Sequence, residues 1–180
     1  MSRTQQPVVL VGPPSSGKTT VGSAVAAALG VPFRDTDHDV ETETGTRIAD
    51  LFVTEGEAHF RALEERAVAR ALAEHDGVLA LGGGSVLSET TRRLLVDHGH
   101  RGGVVVWLDV DLPSAAKRVG LSRDRPLLAV NPRAMLRTML EERAPLYAEV
   151  ATVKVSTAGR AVEDVVDEAL AALPGRTVAP

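Results

Sequence analysis

Short apolar runs alternate along the chain with longer stretches in which apolar residues recur every three or four positions. Val8–Val11 reads as a buried strand, stopped by Gly12-Pro13-Pro14. Gly17–Leu29 carries an Ala-rich helical pattern and ends at Gly30, with Pro32 just beyond. Phe33 sits on a second short strand that runs into Asp35. Residues 38–53 show helical spacing broken at Gly45. Glu57–Ala73 is the clearest helix, with Phe60, Leu63, Ala67 and Ala71 at helical intervals. Val78–Leu81 predicts a third strand entering Gly82-Gly83-Gly84, and Thr90–His98 predicts a helix. Val104–Leu108 is a continuous, largely β-branched strand. Leu112–Val119, Pro132–Tyr147 and Ala161–Leu173 read as helices, with a strand at Val153–Val155 between the last two.

Strands separated by helices in this way predict an α/β fold with a parallel sheet. Because the strands are apolar throughout rather than alternating, helices should cover both faces. Ligands in such sheets bind beyond the carboxyl ends of the strands. The segments that follow each strand are therefore where chemistry should be sought.

Composition narrows the field. At 180 residues and 44% hydrophobic content, the chain suits one domain with a substantial core. A net charge of −4 argues against a protein that coats nucleic acid. Five aromatics (Phe33, Phe52, Phe60, Trp107 and Tyr147) make a poor stacking platform for single strands. The absence of Cys excludes disulfides and thiol chemistry and fits a reducing, cytoplasmic setting. No apolar run approaches the ~20 residues of a membrane span. Met1–Pro7 is polar and too short for a signal peptide, so no membrane partner is expected. The five histidines form no convincing metal site, and His98-x-His100 reads as a solvated turn at a helix end. Basic residues are lopsided, with 17 Arg against only Lys18, Lys117 and Lys154. Arginine favours bidentate grip on carboxylate and phosphate.

After the first strand stand Gly12, Pro13, Pro14, Ser15, Ser16, Gly17, Lys18 and Thr19, followed by Thr20. The run fits G-x-x-x-x-G-K-[ST] and lies between a strand and a helix, the context this phosphate-binding loop requires. Gly17 lets the backbone curl so that successive N–H groups face phosphate oxygens, and the helix start adds its positive end. Lys18 would reach the β- and γ-phosphates of a nucleotide, and the Thr19 hydroxyl is placed for Mg²⁺. At Ser15, a backbone with positive φ would cost about 1 kcal/mol.

The second strand ends in Asp35-Thr36-Asp37, whose two carboxylates project to the same side. They could divide metal and substrate duties, or simply open a helix. Asp39, Glu41 and Glu43 read as a solvated helix face. The three glycines after the third strand point to a close approach of a ligand to bare backbone. Asp109 reads as the cap of the helix that starts at Leu112. Arg61 lies near the start of the long helix beside Phe60. Arg125 belongs to a segment that reads as a mobile lid, and Arg143 stands where Pro145 is expected to disrupt the last turns of a helix.

Taken in order, GPPSSGKTT at 12–20, DTD at 35–37, FR at 60–61, LGGGSV at 81–86, RPLL at 125–128 and RAPLY at 143–147 resemble the shikimate kinase family over about Val8 to Leu173. Ser15 departs from the family's usual Gly. The resemblance implies a three-layer P-loop fold with a five-stranded parallel sheet of order 2-3-1-4-5. It implies a single kinase domain with a shikimate-binding region around 36–64, a lid around 115–127, and transfer of the ATP γ-phosphate to the 3-hydroxyl of shikimate. By the same resemblance Lys18, Asp37 and Arg125 are catalytic. ATP is bound by residues 12–20 with Arg118 stacked on adenine and Arg125 at the γ-phosphate. Thr19 and Asp35 hold Mg²⁺. Arg61 and Arg143 pair with the shikimate carboxylate, Asp37 takes its hydroxyls, and Gly82, Gly83 and Gly84 line the pocket by backbone. Phe52 and Phe60 wall the pocket and Glu64 orients Arg61. A monomer in the cytoplasm is expected, with ATP/ADP and shikimate as its ligands. A gluconate-type kinase also fits a hydroxy-acid acceptor, though the pairing of GGG with DTD favours shikimate. A nucleotide-binding regulator without chemistry is the alternative of another class.

Overall fold

The computed structural model describes residues 6–120 and 131–175. Five parallel strands form one sheet: β1 (Val8–Val11), β2 (Phe33–Asp35), β3 (Val78–Ala80), β4 (Val104–Asp109) and β5 (Val153–Ser156), in the order β2-β3-β1-β4-β5. The helices are α1 (Lys18–Leu29), α2 (Thr36–Thr44), α3 (Ile48–Thr54), α4 (Glu57–Glu74), α5 (Glu89–His100), α6 (Leu112–Gly120), α7 (Pro132–Val150) and α8 (Val162–Ala171), with a 3₁₀ turn at Ser85–Leu87. The fold class and strand order are those expected from the sequence.

The continuous apolar strands are covered on both faces. Val8 and Leu10 of β1 join Val21 and Val25 of α1 and Val165 and Ala169 of α8 in one layer. Val9 and Val11 point the other way, to Val68 of α4, Leu95 of α5 and Tyr147 of α7. Two smaller clusters build the ends of the cleft. Val40, Leu51, Phe60, Leu63 and Ala67 fix α2 and α3 on α4. Val110, Ala115 and Leu136 fix α6 on α7.

Several local expectations need correcting. Pro145 does not disrupt α7, which runs on to Val150. The interior Pro costs about 3 kcal/mol. Burial of Tyr147 and Val150 in the next turn offsets this, at about 1.5–3 kcal/mol per large side chain. Asp111, not Asp109, opens α6, its Oδ1 accepting the Ser114 N–H at 2.8 Å. Asp109 instead pairs with Lys154 on the neighbouring strand at 3.0 Å. His98 is buried, with Nε2 2.9 Å from the Pro7 carbonyl, so it is no solvated turn. Asp39 and Glu43 are engaged by Arg34 and Arg70, and Glu41 accepts the Ile48 N–H and faces the cleft.

Among the described residues no helix is long and apolar enough to cross a membrane. Residues 121–127 of the expected lid, with Arg125, lie outside the described residues; residues 115–120 are the end of α6.

Candidate active site

A cleft of about 780 Å³ opens at the carboxyl ends of the strands. One wall is the loop after β1. Gly17 takes φ 95° and precedes α1 with no side-chain cap, so the first N–H groups of the helix remain turned toward the loop's concavity. Ser15 takes φ 66°, so its departure from Gly does carry backbone strain. Lys18 Nζ donates to the carbonyls of Gly12 and Pro13 at 2.8 and 2.9 Å, which folds the side chain back over the loop it would share with a phosphate. Ser16 Oγ is buried and meets no hydrogen-bond partner among the described residues.

Asp35 opens α2 and also meets Thr19. Its Oδ1 caps α2 by accepting the Asp37 N–H at 3.0 Å, and its Oδ2 accepts the Thr19 hydroxyl at 3.0 Å. A hydroxyl and a carboxylate at that separation, at the mouth of a phosphate loop, are hard oxygen donors of the kind Mg²⁺ takes alongside phosphate oxygens.

Asp37 stands deeper, with Oδ1 buried and without a hydrogen-bond partner among the described residues. Burial, reinforced by the nearby carboxylates of Asp35 and Glu64 and opposed by Lys18, raises its pKa to about 7. Asp37 is thus a carboxyl held ready to accept a proton near neutrality.

The three glycines are needed for lack of side chain. A Cβ on Gly82 would stand 2.5 Å from both Asp37 Oδ1 and Glu64 Oε1. One on Gly83 would meet Pro14 of the phosphate loop at 2.7 Å, and one on Gly84 would run into the Arg61 guanidinium. The close approach at these glycines is made by the protein's own Asp37, Glu64, Pro14 and Arg61.

Arg61 is held from three sides. Its Nη1 donates to Glu64 Oε2 at 2.6 Å and its Nη2 to Glu57 at 3.2 Å. Its guanidinium lies over the rings of Phe52 and Phe60, at 5.8 and 5.3 Å from their centroids. Glu64 is itself fixed by the Ser85 hydroxyl at 3.0 Å. Phe52 lines the cleft, whereas Phe60 is 3% exposed and supports it from behind, 4.8 Å away ring to ring. From the opposite side α7 sends Arg143 to the Gly83 carbonyl, with Nη1 at 3.2 Å.

Arg118 joins α6 to the phosphate loop. Nη1 donates to the Ser15 carbonyl at 3.1 Å and to Thr157 Oγ1 at 3.1 Å, and Nη2 donates to the Thr157 carbonyl at 2.8 Å. Its role as a strut under the loop was not foreseen, because Thr157 is distant in sequence. Glu41, Arg47, Ile48 and Ala49 also line the cleft unforeseen. The helical spacing of Ile48 and Ala49 from Phe52 was the available signal.

The described residues thus bring together every expected group except Arg125. The shikimate kinase family model matches residues 14–174. A shikimate kinase of Salinispora arenicola is 59% identical over 165 residues, covering 92% of this chain and 96% of that protein. Among solved structures, a shikimate kinase from Acinetobacter baumannii in complex with shikimate matches with a TM-score of 0.86 at 38% identity, covering 93% of this chain and 92% of that one. A gluconokinase from Sinorhizobium meliloti shares the architecture less closely, with a TM-score of 0.61 at 25% identity over 95% of this chain and 93% of that one. With a family model and relatives that match along most of its length, this protein belongs to the shikimate kinase family.

Proposed function

We propose that this chain transfers the γ-phosphate of ATP to the 3-hydroxyl of shikimate, giving shikimate 3-phosphate and ADP on the route to chorismate and the aromatic amino acids. The observation that carries the reading is Asp37: a buried carboxylate oxygen with no partner among the described residues, in a cleft it shares with Lys18. The acceptor is an anion bearing hydroxyls. Arg61 and Arg143, brought to Gly84 and Gly83 from opposite sides, would take its carboxylate. Asp37 then accepts the hydrogen of the attacking hydroxyl and holds that oxygen toward the phosphate loop.

On the nucleotide side the loop of residues 12–20 wraps the phosphates, and Lys18 exchanges its two loop carbonyls for β- and γ-phosphate oxygens. Thr19 and Asp35 would hold Mg²⁺, which when bound neutralises phosphate charge. Arg118, with its edges on the loop and Thr157, offers the plane of its guanidinium to adenine. Arg125 would meet the γ-phosphate from a lid around 115–127 that excludes water. Residues 36–64 form the acceptor-binding region of a single kinase domain. The enzyme would act as a monomer in the cytoplasm, where ATP is supplied.

Phosphorus-31 NMR of a mixture of enzyme, Mg·ATP and shikimate tests the reading. A new phosphomonoester resonance growing with ADP is expected. ADP accompanied only by inorganic phosphate would refute it.

A further inference from the structure

The carbonyl of Gly83 accepts two side-chain donors, and one of them is outside every role so far assigned. Tyr147 Oη lies 2.6 Å from this oxygen, and Arg143 Nη1 shares it at 3.2 Å. A carbonyl has two lone pairs, so both donors are accommodated. Tyr147 stands four residues after Arg143, one turn along the same face of α7. Its ring is 1% exposed and packs against Trp107, 5.8 Å between centroids, so the hydroxyl has little freedom to swing away. Burial raises the phenol to about 12, which keeps it a donor at any working pH.

Gly83 is the joint between the two halves of the site. A Cβ on it would meet Pro14 of the phosphate loop, while one on Gly82 would meet Asp37 and Glu64 and one on Gly84 would meet Arg61. A donor that fixes the Gly83 peptide therefore fixes the acceptor groups relative to the phosphates. We infer that Tyr147 is a positioning residue for phosphoryl transfer: through the Gly83 carbonyl it holds Arg143 and the three-glycine turn in register with the phosphate loop. The inference rests on the functional reading above.

Tyr147 is the only tyrosine of the chain, so biosynthetic incorporation of 3-fluorotyrosine labels it alone. The fluorine resonance of the labelled enzyme should shift on titration with shikimate and saturate as the acceptor site fills. Tyr147→Phe, which deletes one hydroxyl and keeps the ring, should lower kcat about tenfold, the size of one buried hydrogen bond, with KM for ATP changed less than about twofold. A resonance unmoved at saturating shikimate would overturn the inference. So would a Tyr147→Phe enzyme that loses only melting temperature and keeps kcat. Should that variant not fold, the resonance decides alone. Turnover by the unsubstituted enzyme in the same assay separates this inference from the functional reading.

Discussion

Arg61 and Glu64, one turn apart on α4, are joined by a 2.6 Å hydrogen bond at the edge of the acceptor pocket, and the two are unequally exposed: 23% for the arginine side chain, 4% for the glutamate. The buried glutamate is the anchor and the arginine the working end. On the proposed function Arg61→Ala removes a group that takes the acceptor carboxylate, and it leaves Glu64 buried without its cation. Truncating one partner of such a pair costs about 3 kcal/mol. We expect KM for shikimate to rise more than about tenfold, with ATP affinity unchanged within about twofold, and a lower melting temperature. Equal losses for both substrates would remove Arg61 from acceptor binding.

Asp37 sets the pH behaviour. Its folded pKa is raised to about 7 from 3.8, so the free enzyme resists ionising it. Below the unfolded value both states are protonated and nothing is lost. Between 3.8 and about 7 the unfolded chain sheds this proton while the folded state keeps it, so stability falls with rising pH across that interval, relative to Asp37→Asn, and levels off above it. Melting curves of the two proteins from about pH 4 to about pH 8 should therefore diverge in favour of the asparagine variant. Catalysis runs the other way: kcat/KM for shikimate should rise with pH through the same region, because the carboxylate form does the work. A flat profile would exclude Asp37 as proton acceptor.

Gly82 is the glycine of the three that stands against two carboxylates. Alanine there would place its methyl 2.5 Å from oxygens of both Asp37 and Glu64. Overpacking of this kind costs about 1–3 kcal/mol and must displace a carboxylate. We expect Gly82→Ala to lower kcat/KM for shikimate by more than about tenfold with the nucleotide KM nearly constant. Unchanged acceptor kinetics would show that the turn tolerates a side chain.

Ser15 tests the phosphate loop. Replacement by Gly relieves about 1 kcal/mol of left-handed strain at φ 66° but restores about 0.4–1 kcal/mol of chain entropy to the unfolded state. These nearly cancel, so the melting temperature should move by less than about 3 °C, and ATP affinity by well under about tenfold. A larger gain in affinity would mean that Ser15 compromises the nucleotide site.

The parts legible in sequence were those built from local spacing. The phosphate loop and the strand-end acids follow from short runs read in order, and residues 12–17 stand between β1 and α1 as their motif requires, whereas the strand order followed only from the family resemblance. What was missed depends on partners far along the chain. Thr157 anchors Arg118 from beyond β5, and Pro7 claims His98 across 91 positions. Asp109 and Asp111 are equally good caps by type; Asp111 takes the place because it directly precedes α6, while Asp109 is the last residue of β4 and pairs with Lys154. The glycine turn was read as open to a ligand. Only the packed structure shows Asp37, Glu64, Arg61 and Pro14 already pressed against it.

The central claim is that this cleft phosphorylates shikimate. The direct measurement is steady-state ADP release from Mg·ATP by the unsubstituted enzyme, with shikimate, with gluconate and with no acceptor. The account predicts saturable ADP release with shikimate and near-background rates in the other two. Release that is independent of shikimate, or greater with gluconate, would contradict it.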